Sequence, residues 1–154
     1  MLVNSAYRGD SSRKGWTTEA DLLGGIRTTE EGMRAMLQKP TATILCYLQA
    51  DDLIGCVYLE KKEEDLYLGM LTVDPERQAG GIGKQLLSAA EEHARAQGCR
   101  AIQMTVISVR HELIAYYERR GFRATGETEP FPMNDPRFGL PKQNLEFIVL
   151  KKNV

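Results

Sequence analysis

An α/β fold built on a single mixed, mostly antiparallel sheet with helices on its flanks is what this sequence predicts. Three observations carry that prediction. Between residues 42 and 73 three β-rich runs follow one another, ATILCYLQ, LIGCVYLEK and DLYLGMLTV. Directly afterwards Ile82, Leu86, Leu87, Ala90 and Ala94 recur at helical spacing. The order then runs strand, helix and two strands, which lacks the regular βα alternation of a doubly wound nucleotide fold. With 154 residues, 42% of them hydrophobic, the chain is expected to form one domain, 1–154, around one core.

The elements read in order as follows. LVNSAY resembles the end of a first helix, and a polar stretch after it holds a short helical piece around Thr18–Leu23. Thr28 and Glu31 have the spacing of a capping box, which opens a helix over TTEEGMRAMLQ that Pro40 terminates. Asp51–Asp52 reads as a hairpin turn between the first two β-runs, and KKEE as the turn before the third. Gly98 stands just past the amphipathic helix as its C-terminal cap. CRAIQMTVISV is a further buried strand, HELIAYYERR a short helix closed by Gly121, and FRATGE and NLEFIVL the remaining strands.

Formal net charge is −1, from 20 basic and 21 acidic residues. That balance argues against nucleic acid or a membrane surface as the main partner. No apolar run approaches the ~20 residues of a membrane helix. The opening MLVNSAYRGDSSRKGW lacks the apolar stretch of a secretory signal, so a cytoplasmic location is expected. Cys46, Cys56 and Cys99 are odd in number and lie in or beside apolar runs, which suits reduced, buried thiols better than disulfides or metal ligands. No metal is expected.

The stretch VDPERQAGGIGKQLL, from Val73 to Leu87, places three glycines where a strand gives way to a helix. Such a loop lets backbone amides approach a phosphate. A P-loop would need a glycine at Gln78 and a Ser or Thr after Lys84, where Gln85 stands. A dinucleotide fingerprint would need glycine three residues after Gly83, where Leu86 stands. The pattern Q/R-x-x-G-x-G/A is met by Gln78, Gly81 and Gly83, and here the sequence resembles the GNAT superfamily of acyl-CoA-dependent N-acyltransferases. A second stretch, IAYYERRGF, resembles the other signature of that family.

The resemblance implies acetyl-CoA as co-substrate, with Gln78, Ala79, Gly80, Gly81, Ile82, Gly83 and Lys84 around its pyrophosphate. It implies pantetheine lying along the strand that ends at Val73, against backbone groups of Leu71 and Val73, with an amide near Leu71 or Thr72 facing the thioester carbonyl. Tyr117, four residues before Gly121, takes the place of the family's proton donor to the departing thiolate. Packing is the plainer reading for both Tyr116 and Tyr117, and Tyr116 is assigned to packing.

The chain departs from the family at three points. It begins at LVNSAY without the usual first strand, which would leave TILCYLQ as a sheet edge for a partner copy, hence a homodimer, or for the N-terminal segment to cover. Arg110 stands where many members have asparagine, and solvent is its expected environment. Tyr67 and Thr105 occupy the places of the glutamates some relatives use as general base, leaving Asp65, Glu129, His111 or a water as candidates. Asp65 is expected in a solvated turn and His111 on the surface at a helix start.

On the acceptor side, SSRKGWTTEADLL carries Trp16 beside Arg13, Lys14 and Glu19, and GETEPFPMNDPRFGLPKQN carries Phe131 and Phe138 on a long connection. Glu127, Glu129 and Asp135 would suit a cationic acceptor, and Arg13, Arg27 and Arg137 one bearing a carboxylate. The expected activity is transfer of acetyl from acetyl-CoA to a primary amine, on a small molecule, amino acid or peptide, by direct attack. None of the cysteines has the histidine neighbour of a covalent relay. The alternative is a non-catalytic module of the same fold that senses acyl-CoA.

Overall fold

A computed structural model describes residues 2–3, 23–24, 30–76, 81–130, 140–141 and 145–154. After the helical residues Leu2 and Val3, the elements are β1 (Leu23–Gly24), α1 (Glu30–Leu37), β2 (Ala42–Gln49), β3 (Asp52–Lys62) and β4 (Asp65–Val73). Then follow α2 (Ile82–Ala96), β5 (Ala101–Ile107), α3 (His111–Arg119), β6 (Arg123–Pro130), β7 (Leu140–Pro141) and β8 (Glu146–Asn153). Six strands form one mixed sheet in the order β2-β3-β4-β5-β8-β6, and β1 pairs with β7 separately. The α/β class and the sheet predicted from the sequence are those observed. Neighbouring strands are antiparallel except β4 and β5, which run parallel.

Local chemistry explains the joints. The β2–β3 turn falls on Ala50 and Asp51, since Gln49 pairs with Asp52, one residue earlier than the Asp51–Asp52 expected. Ala50 and Glu63, at the two hairpin turns, have positive φ (both 55°), the backbone sign that tight hairpins demand. Gly98 ends α2 with φ 72°, and the Cys99 amide donates back to the Ala94 carbonyl at 2.9 Å, as a left-handed helix cap requires. Leu23, expected at the end of a helical piece, is extended and pairs with Pro141. The rest of that piece, Thr28 of the capping box, Trp16, Phe131 and Phe138 lie outside the described residues.

The core lies between the sheet and the helices α2 and α3. Ile54, Val57, Leu59, Leu66, Leu68, Ile102, Met104 and Leu150 meet Ile82, Leu86, Leu87, Ala90 and Ala94 of α2, with Tyr117 and Phe122 at one end. Full burial of a side chain of this size contributes about 1.5–3 kcal/mol. A smaller cluster on the opposite face joins Cys56, Tyr58 and Met70 to Val3, Met33 and Met36.

One irregularity links the two faces. Cys56 pairs with Thr72 and Tyr58 with Gly69, so Met70 and Leu71 together oppose Val57. Such a β-bulge adds one residue to one strand, and Met70 absorbs it with φ 51°. Before the bulge the even-numbered Leu66 and Leu68 face α2. After it Leu71 and Val73 pack on that side, while Met70 belongs to the opposite cluster.

Two expectations about burial are corrected. Cys46 is exposed, whereas Cys56 and Cys99 are buried; Cys46 stands on β2, an edge strand of the sheet among the described residues. Burial pushes the Cys56 thiol up to about 11, against a hydrogen bond with Thr72 that lowers it. Arg110, expected in solvent, is only 4% exposed; it caps α3, its amide donating to the Ile107 carbonyl at the end of β5 and its carbonyl accepting from Leu113 and Ile114.

The closeness of α2 to the sheet depends on Gly55. A Cβ there would stand 3.1 Å from Ile82 Cγ2, 3.1 Å from Leu86 Cδ1 and 3.2 Å from the Thr72 carbonyl oxygen. Gly55→Ala is expected to lower stability by about 1–3 kcal/mol through overpacking. The midpoint of urea unfolding measures it, and an unchanged midpoint would show that α2 shifts without cost.

Candidate active site

β4 and β5 pair only over Asp65–Tyr67 and Ala101–Gln103. β4 runs on to Val73 and β5 to Ile107 beyond the last paired residues, so the two parallel strands part after Tyr67 and Gln103. The bulge at Met70 and Leu71 lies on β4 within that parted segment. Leu71, Thr72 and Val73, assigned to pantetheine from the sequence, line its edge. Thr72 is buried, and its hydroxyl donates to the Met70 carbonyl at 2.8 Å, which fixes the strand just past the bulge.

The start of α2 stands over the same opening. Gly81 caps the helix with φ 71°, in the left-handed region that glycine adopts freely. It supplies no side-chain acceptor to the first turn. The amides of Ile82, Gly83 and Lys84 are thus first-turn donors at the positive end of a 15-residue helix. Ile82 is buried and anchors the turn, whereas Lys84 is exposed. Gln78, Ala79 and Gly80 lie outside the described residues.

α3 brings its aromatic pair to the same place. A Cβ on Gly83 would lie 3.0 Å from the Tyr116 hydroxyl and 3.8 Å from Val73 Cγ2, so the end of β4, the start of α2 and Tyr116 converge. Tyr117 is 5% exposed, with its ring edge-on to Tyr116 at 5.4 Å and to Phe122 at 5.8 Å. The Arg120 guanidinium lies over the Tyr116 ring at 4.5 Å. Tyr116, expected only to pack, does pack, and its hydroxyl also fills the space that Gly83 leaves. The i−1 spacing from Tyr117 gives no sign of this, because it depends on how closely α3 approaches α2.

On the opposite face of the sheet a cavity of about 530 Å³ is walled by Tyr58, Glu60, Asp65, Tyr67, Thr105 and Glu129, among others. It gathers four residues that the sequence placed separately: Tyr67, Thr105, Asp65 and Glu129. Tyr67 connects this cavity with the bulge, since a Cβ on Gly69 would lie 3.3 Å from its hydroxyl. His111 is exposed at the start of α3 and is not part of the wall. Asp65, expected in a solvated turn, is the first residue of β4, with its side chain 22% exposed and Oδ2 held by Lys151 Nζ at 3.0 Å. Among the described residues no group of His, Cys, Asp and Glu is arranged to hold a metal, and no helix is long and apolar enough to cross a membrane.

Glu60, on β3, is a residue the sequence reading missed. Alternation on β3 could have placed it on the cavity face, but its neighbours in KKEE suggested only a charged turn. Its side chain is 12% exposed. The Tyr58 hydroxyl donates to its Oε1 at 2.5 Å, and Lys39 Nζ does so at 3.3 Å. The Tyr58 hydrogen bond is the main cause holding the carboxyl below its usual range; burial opposes it, and Lys39 and Lys62 reinforce it. Burial first, then the same carboxylate, raises the Tyr58 phenol well above its ordinary value.

A depressed folded-state pKa means that the unfolded chain binds the proton more readily. The stabilisation from Glu60 is therefore complete above the unfolded value of about 4.3 and disappears as pH falls through the lower folded value. Glu60→Gln is expected to be less stable than the parent at pH 7 and to lose less stability on acidification below about pH 4. Urea midpoints across that range test this, and parallel acid profiles for the two proteins would contradict it.

Comparison with known proteins agrees with this geometry. The profile of the family described as "Acetyltransferase (GNAT) family" matches residues 4–122. A mycothiol acetyltransferase of Propionibacterium freudenreichii is 30% identical over 107 residues, covering 64% of this chain and 34% of that protein; the chain thus spans about a third of that relative's length. An IAA acetyltransferase structure from Bacillus cereus superposes with a TM-score of 0.68 at 20% identity, over 82% of this chain and 85% of that one. A GNAT family acetyltransferase from Elizabethkingia anophelis, solved with acetyl-CoA bound, superposes with a TM-score of 0.65 at 18% identity, over 82% and 84%. At such identities the superpositions speak for the fold, and the profile match over most of the chain shows that it belongs to the GNAT acetyltransferase family.

Proposed function

We propose that this protein transfers the acetyl group of acetyl-CoA to a primary amine on a small molecule or peptide, through a ternary complex. The parting of β4 from β5, with a bulge on one strand and the α2 N-terminus over the gap, is the observation that carries the reading. A pyrophosphate needs several donors at short range, and the first-turn amides from Ile82 to Lys84 supply them. Gln78, Ala79 and Gly80 extend that cradle in this reading. The pantetheine arm follows Leu71 to Val73 in the place of a strand, and the bulge turns an amide near Leu71 or Thr72 towards the thioester oxygen.

The amine enters from the cavity on the other face. Its neutral nitrogen attacks the carbonyl carbon, the C–N bond forms, and the C–S bond breaks as the tetrahedral oxyanion collapses. The departing sulfur takes a proton from the Tyr117 hydroxyl, whose ordinary pKa of ~10 is close enough to a thiol's for useful transfer. The nitrogen gives up its proton to water in the cavity, where Glu129 stands as an exposed carboxylate, and the Tyr117 phenolate takes a proton back from water before the next turnover. In this reading residues 1–154 work as one domain in the cytoplasm, and a homodimer covers β2 at the edge of the sheet.

Two substitutions test the reading. Tyr117→Phe is expected to lower kcat by about 100-fold while acetyl-CoA affinity, followed by calorimetry, stays nearly constant. Unchanged turnover would remove Tyr117 from the reaction, and absence of any turnover in the parent, with acetyl-CoA bound, would favour a sensing module. Gly83→Ala forces a methyl group towards the Tyr116 hydroxyl and is expected to weaken acetyl-CoA binding by about tenfold. Full affinity in that variant would mean that the coenzyme does not approach the first turn of α2.

A further inference from the structure

The cavity beneath α1 contains an ammonium group already. Lys62 Nζ lies 4.7 Å from the centroid of the Tyr67 ring and 3.8 Å from Glu60 Oε2. Lys39 Nζ is 3.3 Å from Glu60 Oε1. The two lysine side chains are 58% and 56% exposed, against 12% for the glutamate. The carboxylate and the ring are therefore the fixed parts, and the lysines can withdraw into solvent. Glu60 is held in place by Tyr58, and the Tyr58 and Tyr67 rings meet edge-on at 6.5 Å.

A second observation concerns Asp65. Its Oδ2 is paired with Lys151, but Oδ1 is shielded from solvent and accepts no hydrogen bond from the described residues. A buried acceptor without a donor is costly, and Asp65 is among the residues lining the cavity. Among the described residues, four carboxylates line the cavity (Glu60, Glu63, Asp65, Glu129) against two ammonium groups (Lys39, Lys62). A carboxylate on a ligand would have to displace Glu60 from its lysines at close range to a like charge. A cation meets the opposite situation.

We propose that this end of the cavity is a cation subsite, in which a protonated nitrogen of the acceptor replaces the Lys62 ammonium between the Glu60 carboxylate and the Tyr67 ring. The proposal rests on the acetyl-transfer reading and narrows its substrate class. An amine must be neutral to attack a thioester, so the nitrogen held here as a cation is a different one from the nitrogen acetylated. The acceptor is accordingly a diamine or longer polyamine, one end anchored near Glu60 and the other carried past Tyr67 to the opening between β4 and β5. Carboxylate and aromatic face together suit an alkylammonium group, and the aromatic contact strengthens as water is excluded.

The test is calorimetric titration of the full chain at pH 7 with putrescine and with 1,4-butanediol, which has the same carbon chain and no charge. Putrescine is expected to bind about tenfold more tightly. Glu60→Gln should abolish that preference without changing 1,4-butanediol binding, and Lys62→Met, which removes the internal competitor, should tighten putrescine. Equal affinity for the two ligands, a preference that survives Glu60→Gln, or weaker putrescine binding in Lys62→Met would each overturn the subsite. Acetyl-CoA is titrated into the same protein. If it binds and no diamine preference is found, the subsite alone fails; if it does not bind, the transferase reading fails, while a diamine preference would still support the cation subsite.

Discussion

The extra residue in β4 is the constraint on which the rest of the architecture turns. A strand paired evenly on both sides would carry its alternation through to the end and stay against β5. The bulge at Met70 and Leu71 instead exchanges the faces of every side chain after it. Leu71 and Val73 thereby join the packing under α2, and Thr72 turns inward to fix the Met70 carbonyl. A residue other than glycine at φ 51° is held there by its surroundings rather than by its own preference. Burial of Met70 among Val3, Met33 and Met36 is what holds it.

The two faces of the sheet serve different physical purposes. Against α2 and α3 the sheet is apolar and closely packed, so that Gly55 leaves no room for a methyl group. On the other face the apolar cluster gives way to paired charges: Glu60 with Lys39 and Lys62, and Asp65 with Lys151. The β4–β5 opening is where these two environments meet. First-turn amides come from helix α2 on one side and polar side chains from β3, β4 and β5 on the other. Tyr67, lying over Gly69, connects the two.

Much of this was legible in the chain itself, and the rest fails for identifiable reasons. Helical spacing from Ile82 to Ala94 marked α2, and Gly98 and Gly121 marked the ends of α2 and α3, because those signals are local. β1 and β7, at two residues each, are too short to show any period. The bulge leaves no trace in DLYLGMLTV, whose alternation continues while its faces exchange. Cys46, in an apolar run, reads as buried, yet an edge strand exposes part of what a central one would cover. Arg110 and Asp65 read as solvated because charge at a turn usually is. Asp65 is partly covered through Lys151, a partner distant in sequence, and Arg110 is buried where it caps α3. The glycine pattern and Tyr117 were found as motifs, whereas Glu60 gained meaning only once Tyr58, Lys39 and Tyr67 were seen around it.

The strand order has a consequence for how the fold is assembled. β8 lies between β5 and β6, and β6 reaches the sheet only through β8. In chain order, however, β6 precedes β8. During synthesis β2, β3, β4, α2 and β5 can come together by local hairpins and one crossover, but β6 has no neighbour to pair with until residues 146–153 have emerged. Until then the edge of β5 that receives β8 remains open, beside a core already formed. Late closure of a sheet by a long-range pairing is slow, and the waiting edge is where association with other chains competes with folding.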